Sequence, residues 1–400
     1  VRLLIDDIHT KGYDRGLDAL DSHPNFEIRI FNPFSRRQAR EIDFLTDFGR
    51  ANRRMHNKSF TVDGVVTVVG GRNIGAEYFS AREDVNFNDL DILGAGSVAR
   101  DVGTAFDEYW NSAYALPVTA VVEPPTGPDA GLPALRGRFK DALEEFKVSQ
   151  YGEALRRAIL DQIEEDPEAL DWADYQVVHD APEKAEGGGN GRKDALTRPL
   201  AAAIAEGSEE LFVTSPYFVP LEGGVEFFRK LRERGVDVTI WTNSLGSTDV
   251  AAVHAGYAPY RRELLEMGVT LYESRRDRSV EGAKRAGMAF SSASLHAKWF
   301  TIDRSRLFVG SFNWDPRSIG INTEMGILVE SPALAQRLVE HTLEEFPRNS
   351  YRALLSESGR LRWKSQEEGQ TVIYKREPGT SWWRRFSAGF LRLMPIRKQL

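Results

Sequence analysis

The chain has 400 residues, 41% of them hydrophobic, a net charge of −7 and no cysteine. That length and apolar content suffice for a large core divided over about two or three domains. Without cysteine there are no disulfides, thiolate metal sites or cysteine nucleophiles; the acidic balance argues against a surface built to neutralise a nucleic-acid backbone, and no run approaches the roughly 20 apolar residues of a membrane-spanning helix.

In chain order, residues 1–120 read as a first α/β unit. Strand-like runs at 1–6 and 27–31 precede HNKSFTVDG at 56–64. Alternation there puts His56 and Lys58 on one strand face, a turn at Asp63, a second strand at 65–69 and then the small-residue loop Gly70-Gly71-Arg72-Asn73. Residues 121–195 read as a linker and helical insertion: a Pro- and Gly-rich stretch at 117–133, a charged helical segment at about 135–165, and the polar loop GGGNGRK at 187–193. That loop is only superficially a phosphate-binding one, because Arg192 breaks the Gly-Lys pair and Asp194 follows the lysine.

Residues 196–345 repeat the first unit. A strand at 211–215 and a helix at 224–234 precede strands at 236–243 and 269–273, and then comes HAKWFTIDR at 296–304, leading into Gly310-Ser311-Phe312-Asn313. The offset between His56 and His296, Lys58 and Lys298, Asp63 and Asp303, and Asn73 and Asn313 is 240 throughout. The front unit lacks counterparts of the 211–215 strand and 224–234 helix, which implies a natural chain that begins at least one strand and one helix earlier. The fold expected is therefore two α/β halves with mixed sheets, packed as a pseudo-two-fold repeat around one shared cleft. Residues 346–400 add a short hairpin, from 361–363 and 372–374, and the segment SWWRRFSAGFLRLMPIRK.

His beside Lys on one strand face sets a nucleophile or acid next to a fixed cation, and two such pairs match phosphodiester transfer. One imidazole attacks, the other protonates the leaving alkoxide, and Lys58 and Lys298 neutralise the phosphoryl oxygens. Asn73 and Asn313 each follow their histidine by 17 residues and can add amide donors. Each histidine also needs a carboxylate on its other ring nitrogen. Each half offers one: Glu324 in the rear, beside His296, and in the front Asp89, with Asp91 as the alternative, beside His56.

These residues resemble the phospholipase D superfamily, whose pattern is His-x-Lys-x4-Asp followed by Gly-Ser-x-Asn. The rear copy matches in full and the front copy has Gly71 for the serine. The resemblance implies a phosphohistidine intermediate without a metal or cofactor, His56 as nucleophile, His296 as general acid, and structural roles for Asp63 and Asp303. SPYFVP at 215–220, the stretch 242–273, GGRNIGAEYF at 70–79 and EPGTSWWRRF near the end are most similar to bacterial cardiolipin synthases of the type C branch. That implies transfer of a phosphatidyl group to phosphatidylglycerol from phosphatidylglycerol or phosphatidylethanolamine, at the bacterial inner membrane, with no nucleic-acid partner. Phospholipid hydrolysis and nucleic-acid phosphodiester cleavage are the competing activities, and an inactive lipid-binding scaffold the non-enzymatic one.

Tyr217, Asn243, His254, Tyr257 and Tyr260 are polar-tipped side chains near strand ends or on the following helix. They are expected to line the cleft and hold a headgroup, the alternative being half-buried core aromatics and a surface histidine. From Ser381 onward a helix would set Trp382, Phe386, Phe390, Leu393 and Met394 on one side, with Arg384, Arg385 and Arg392 elsewhere and Arg397 and Lys398 beyond Pro395. Such a helix suits the headgroup region of an anionic membrane, or packs its aromatic face on the protein's own core.

Overall fold

The computed structural model describes residues 1–79, 86–123, 131–148, 170–187, 194–275, 293–367 and 369–391. The GGGNGRK loop beyond its first glycine, the helical stretch beyond Val148, and Arg392, Leu393, Met394, Pro395, Arg397 and Lys398 lie outside the described residues.

The rear half is built on one ten-stranded mixed sheet. Its centre is parallel, with Asp237–Asn243 between Thr270–Ser274 and Glu210–Thr214. Glu210–Thr214 pairs antiparallel with Trp299–Ile302, the strand that follows Lys298, and the sheet continues through Arg306–Gly310 and Met325–Glu330. Both faces are covered, so Trp299–Ile302 is buried at every position, as a strand between two layers must be. Phe300 and Ile302 enter a core with Val213, Ile240 and Phe228 of the helix Leu221–Glu233. Trp299 stacks on Phe212 at 5.2 Å on the opposite face, under the helix Pro332–Asn349.

Two regions expected to be peripheral join this sheet. Asp174–His179, within the expected linker, pairs with Met325–Glu330 and forms one edge. The hairpin Leu361–Glu367 with Gln370–Tyr374 forms the other, attached through Ser350–Leu355 to Thr270–Ser274.

In the front half six of the seven described strands fall into two sheets of three. Arg2–Asp6 and Glu27–Phe31 pair in parallel, with Ala115–Pro117 beside them; the hairpin Ser59–Val62 and Val66–Gly70 pairs with Asp91–Ala95. This departs from the single sheet expected, and the rear half shows the reason. There Glu210–Thr214 joins the parallel strands to the hairpin, and no described strand does so in front. The outcome is visible at Phe60, 67% exposed, whereas its counterpart Phe300 is 1% exposed. The halves nonetheless share a core: Val69, Val98 and Val102 of the front pack on Met325, Ile327 and Val329 of the rear.

Both hairpins turn as expected. Asp63 and Gly64, and Asp303 and Arg304, have consecutive positive φ values of 53° and 65°, and 51° and 46°, in turns closed by Val65 N–H to Val62 O and Ser305 N–H to Ile302 O. This is the turn type that matches strand twist. Asp303 is an anchor, its carboxylate accepting from the backbone N–H groups of Ser208, Glu209 and Glu210. Asp63 is exposed. Substitution of either aspartate by alanine loses the same aspartate tolerance of positive φ. Asp303→Ala should therefore cost about 2 kcal/mol more than Asp63→Ala in urea unfolding, the worth of charge-assisted hydrogen bonds to one carboxylate.

Candidate active site

Each histidine leaves a short backbone pairing made with the other half. Met55 bridges Thr323, with His56 N–H donating to Thr323 O at 2.9 Å. Ala293–Leu295 pairs in parallel with Asn86–Asn88, and the N–H groups of His296 and Ala297 both donate to Asn88 O. Thr323 immediately precedes Glu324, and Asn88 immediately precedes Asp89. The pairing therefore delivers each imidazole to the opposite half's carboxylate. His56 Nδ1 lies 2.8 Å from Glu324 Oε2, and His296 Nδ1 lies 2.7 Å from Asp89 Oδ2. This corrects the expectation that each half supplies its own partner. Asp91, the alternative for the front half, instead accepts from Arg72 Nε at 2.5 Å.

The lysines are placed identically, Lys58 Nζ and Lys298 Nζ each donating to its own histidine's carbonyl at 2.7 Å. Lys298 also lies 3.0 Å from His296 Nδ1. Asn73 Nδ2 donates to Tyr78 Oη at 2.7 Å, and that hydroxyl is 3.5 Å from His296 Nε2. Asn313 is buried in the rear loop, its backbone N–H donating to Ser318 Oγ. Tyr78, Phe87 and Tyr217 surround the His296 ring, with centroids 5.0, 5.1 and 6.3 Å away. Tyr78 and Phe87 escaped sequence reasoning. Tyr78 lies in the family-like stretch 70–79, five residues beyond Asn73, which was the available signal; Phe87 offered none.

The two dyads differ. Ser311 Oγ and Ser318 Oγ both donate to Glu324. In the front half Asp89 lies directly over Gly71, where a Cβ would come within 2.6 Å of Asp89 Oδ1. A serine there has no room, which accounts for the one departure from the family pattern. Burial opposes the charge on Glu324, but His56, Lys58 and the Ser311 hydroxyl hold its carboxyl below the ordinary range. Burial raises Asp89 against the pull of Lys298.

Burial lowers both imidazoles. His296 falls well below the ordinary histidine value, driven further by Lys298 and Lys58, while Glu324 partly offsets the effect at His56. Burial also lowers Lys298, and brings Lys58 down to about 7. Two imidazoles, each backed by a carboxylate at Nδ1, and two desolvated lysines thus line one site, with Lys298 Nζ and the Tyr78 hydroxyl at 3.2 and 3.5 Å from His296 Nε2; that donor set suits a phosphoryl group.

Among the expected headgroup residues, only Tyr217 contributes a side chain to this constellation. Its hydroxyl donates to Asp249 Oδ2 at 2.7 Å, and its loop is pinned to the rear site by Val219 N–H to Trp314 O and Trp314 N–H to Ser215 Oγ. Asp249 was not anticipated. Asn243 is buried and donates to Leu295 O at 2.9 Å, so it braces the strand before His296. His254 and Tyr257 are buried on the helix Ala251–Tyr257, in a cluster with Arg261, Glu273 and Glu377. The helix is buried from Val253 through Tyr257, and neither side chain joins the group around His296. Arg261 ion-pairs with Glu273 and Glu377, occupying the place a cation would need among His254 and the two carboxylates. Tyr260 donates to Glu222 at 3.2 Å.

Residues 200–346 match the family described as "Cardiolipin synthase, PLD-like domain". The chain is 41% identical over 407 residues to cardiolipin synthase C of Escherichia coli K12, covering 99% of this chain and 84% of that protein. The chain belongs to the cardiolipin synthase family of phospholipase D-like enzymes. It is also 31% identical to an uncharacterized protein of Helicobacter pylori J99, over 100% of this chain and 78% of that one. The phosphatidylserine synthase structure from Haemophilus influenzae Rd KW20 shares its fold, with a TM-score of 0.60 at 14% identity, covering 100% of this chain and 83% of that one. The two-half architecture is thus that of the family.

Two measurements probe this site. Gly71→Ser, although it restores the family pattern, should displace Asp89 from His296 and lower turnover about 10- to 100-fold, the usual effect of losing a carboxylate behind an active imidazole. Tungstate affinity, measured by calorimetry, should fall as pH rises from 7 to 9, because Lys58 loses its proton at about 7; Lys58→Arg should flatten that dependence.

Proposed function

We propose that the enzyme transfers a phosphatidyl group between phospholipids to make cardiolipin, through a covalent phosphohistidine. The observation that carries this reading is the pair of crossed histidine–carboxylate dyads with both lysines between them. With Nδ1–H donated to Glu324, the His56 Nε2 lone pair attacks phosphorus. The P–O bond to the departing headgroup breaks as His296 protonates that oxygen. The hydroxyl of an incoming phosphatidylglycerol then gives its proton to the now neutral His296, its oxygen attacks phosphorus, and the P–N bond to His56 breaks. Proton and phosphoryl balances close over the two steps.

Family resemblance and exposure support His56 as nucleophile: its side chain is 25% exposed and that of His296 5%. The acid form of His296 arises in the complex. A phosphodiester anion between Lys58 and Lys298 offsets the two cations that depress His296, and a neutral imidazole left at His56 suits attack. Tyr217 and Asp249 are suited to hold a headgroup hydroxyl beside His296. The substrate class follows from the relatives' names, and for this chain phosphatidylglycerol and phosphatidylethanolamine are the proposed donors.

Among the described residues no helix is long and apolar enough to cross a membrane. A peripheral mode rests on the helix Trp382–Leu391. Trp382, Trp383, Phe386 and Phe390 are all more than half exposed, so the aromatic face is not consumed by the protein's own core, and Trp side chains suit the headgroup layer.

Vesicles of labelled phosphatidylglycerol, with and without phosphatidylethanolamine, test the reading. Cardiolipin with glycerol or ethanolamine as co-product is expected, whereas phosphatidic acid as the main product would make the enzyme a hydrolase. Label trapped on the protein should disappear in His56→Ala; its loss in His296→Ala with retention in His56→Ala would reverse the two roles. Tungstate should raise the His296 pKa, read from imidazole carbon shifts by NMR.

A further inference from the structure

Arg384 ties the aromatic helix to a loop beside the catalytic cleft. Unlike its aromatic neighbours, Arg384 is turned inward: Nε donates to Leu245 O at 2.6 Å and Nη2 donates to Thr248 O. Both carbonyls belong to the loop 244–249 that follows strand Asp237–Asn243. That loop faces the helix on one side and the cleft on the other. Ser294 Oγ donates to Ser247 O at 2.9 Å, and Asn243 braces Leu295 O, so the strand entering His296 hangs on this segment. Its last residue, Asp249, holds the Tyr217 hydroxyl, and the Tyr217 ring stands edge-on to His296.

The chain leading into the helix is clamped against the same loop. A Cβ on Gly246 would lie 3.2 Å from the carbonyl oxygens of both Pro378 and Gly379, so the two backbones meet with only glycine between them. Glu377 is fixed by its ion pair with buried Arg261, and Arg385 Nη1 closes the turn on Thr380 O at 2.6 Å. The helix thus cannot shift without moving the loop. Outward it presents Trp382 and Trp383, stacked at 4.0 Å, beside Phe386, with Lys375 and Arg376 exposed on the approach. Aromatic rings flanked by cations match the boundary layer of an anionic phospholipid surface, the surface from which a phospholipid substrate must come.

We propose that Arg384 is a positioning residue that couples seating of this helix in a phospholipid surface to the arrangement of Tyr217, Asp249 and the His296 strand. The proposal rests on the docking role given to the helix above. Insertion of the aromatic face orders the helix, the two hydrogen bonds of Arg384 carry that order to the loop 244–249, and the loop sets the cleft. Its signature is energetic coupling between Arg384 and Asp249.

The test uses the full chain, with phosphatidylglycerol–phosphatidylethanolamine vesicles and dispersed short-chain phosphatidylglycerol as paired substrates. Arg384→Gln should still co-sediment with vesicles, while the ratio of vesicle to dispersed-substrate turnover falls about tenfold, in kcat with little change in KM. In an Asp249→Asn background the same substitution should lower that ratio less than twofold, and Arg384→Lys, which keeps one donor group, should recover part of the loss. Equal tenfold losses in both backgrounds, or an equal loss on both substrates, would overturn the coupling. The Trp382→Ala/Phe386→Ala/Phe390→Ala variant should abandon the vesicles; if it stays bound, or if the unsubstituted chain never binds, the docking role itself fails and the face belongs to another occupant.

Discussion

Each imidazole is held by a carboxylate from the opposite half, and the rest of the molecule is arranged around that exchange. Glu324 is fully buried, and a buried carboxylate is tolerated only where cations and donors compensate its desolvation. His56, Lys58, Ser311 and Ser318 supply that compensation, drawn from both halves. The shared apolar layer of Val69, Val98, Val102, Met325, Ile327 and Val329 then fixes the spacing across which the hydrogen bonds are made. Interface packing and catalytic geometry are consequently one requirement, because a close-packed layer does not yield by an ångström without a cost felt at the dyads.

The doubling of chemistry was legible because strand alternation and hairpin turns are local. His and Lys two apart, an aspartate at the turn and an asparagine in the next loop each follow from a few consecutive residues, and two copies in register mark two halves. Partnership was not legible. Asp89 and Glu324 occupy equivalent places in a repeat, and equivalence does not say whether a carboxylate serves its own copy or the other. The burial of His254 and Tyr257 was not legible for a related reason: a polar-tipped side chain on a helix after a strand reads the same whether it faces a cleft or a buried ion cluster. Arg384, in an amphipathic pattern, reads as solvent-facing charge until its two carbonyl partners are seen.

The two catalytic hairpins are alike in backbone turn and unlike in electrostatics. A serine and a longer carboxylate stand behind His56; a glycine and a shorter carboxylate stand behind His296, under a roof of Tyr78, Phe87 and Tyr217. One imidazole is therefore the more open and the more firmly backed by charge, the other the more enclosed. That division suits a reaction in which the first ring carries the phosphoryl group and the second only shuttles a proton between two alcohols. An enclosed proton carrier also limits the approach of water, the competing acceptor.

The front hairpin has a further physical property. Among the described residues strand Ser59–Val62 stands at the edge of its sheet, with Phe60 and Val62 exposed. An apolar edge of this kind accepts a further strand. A strand added there, in the place that Glu210–Thr214 takes beside Trp299–Ile302 in the rear half, would stiffen the hairpin within a few residues of His56, so that completion of the sheet and the set of that imidazole are linked.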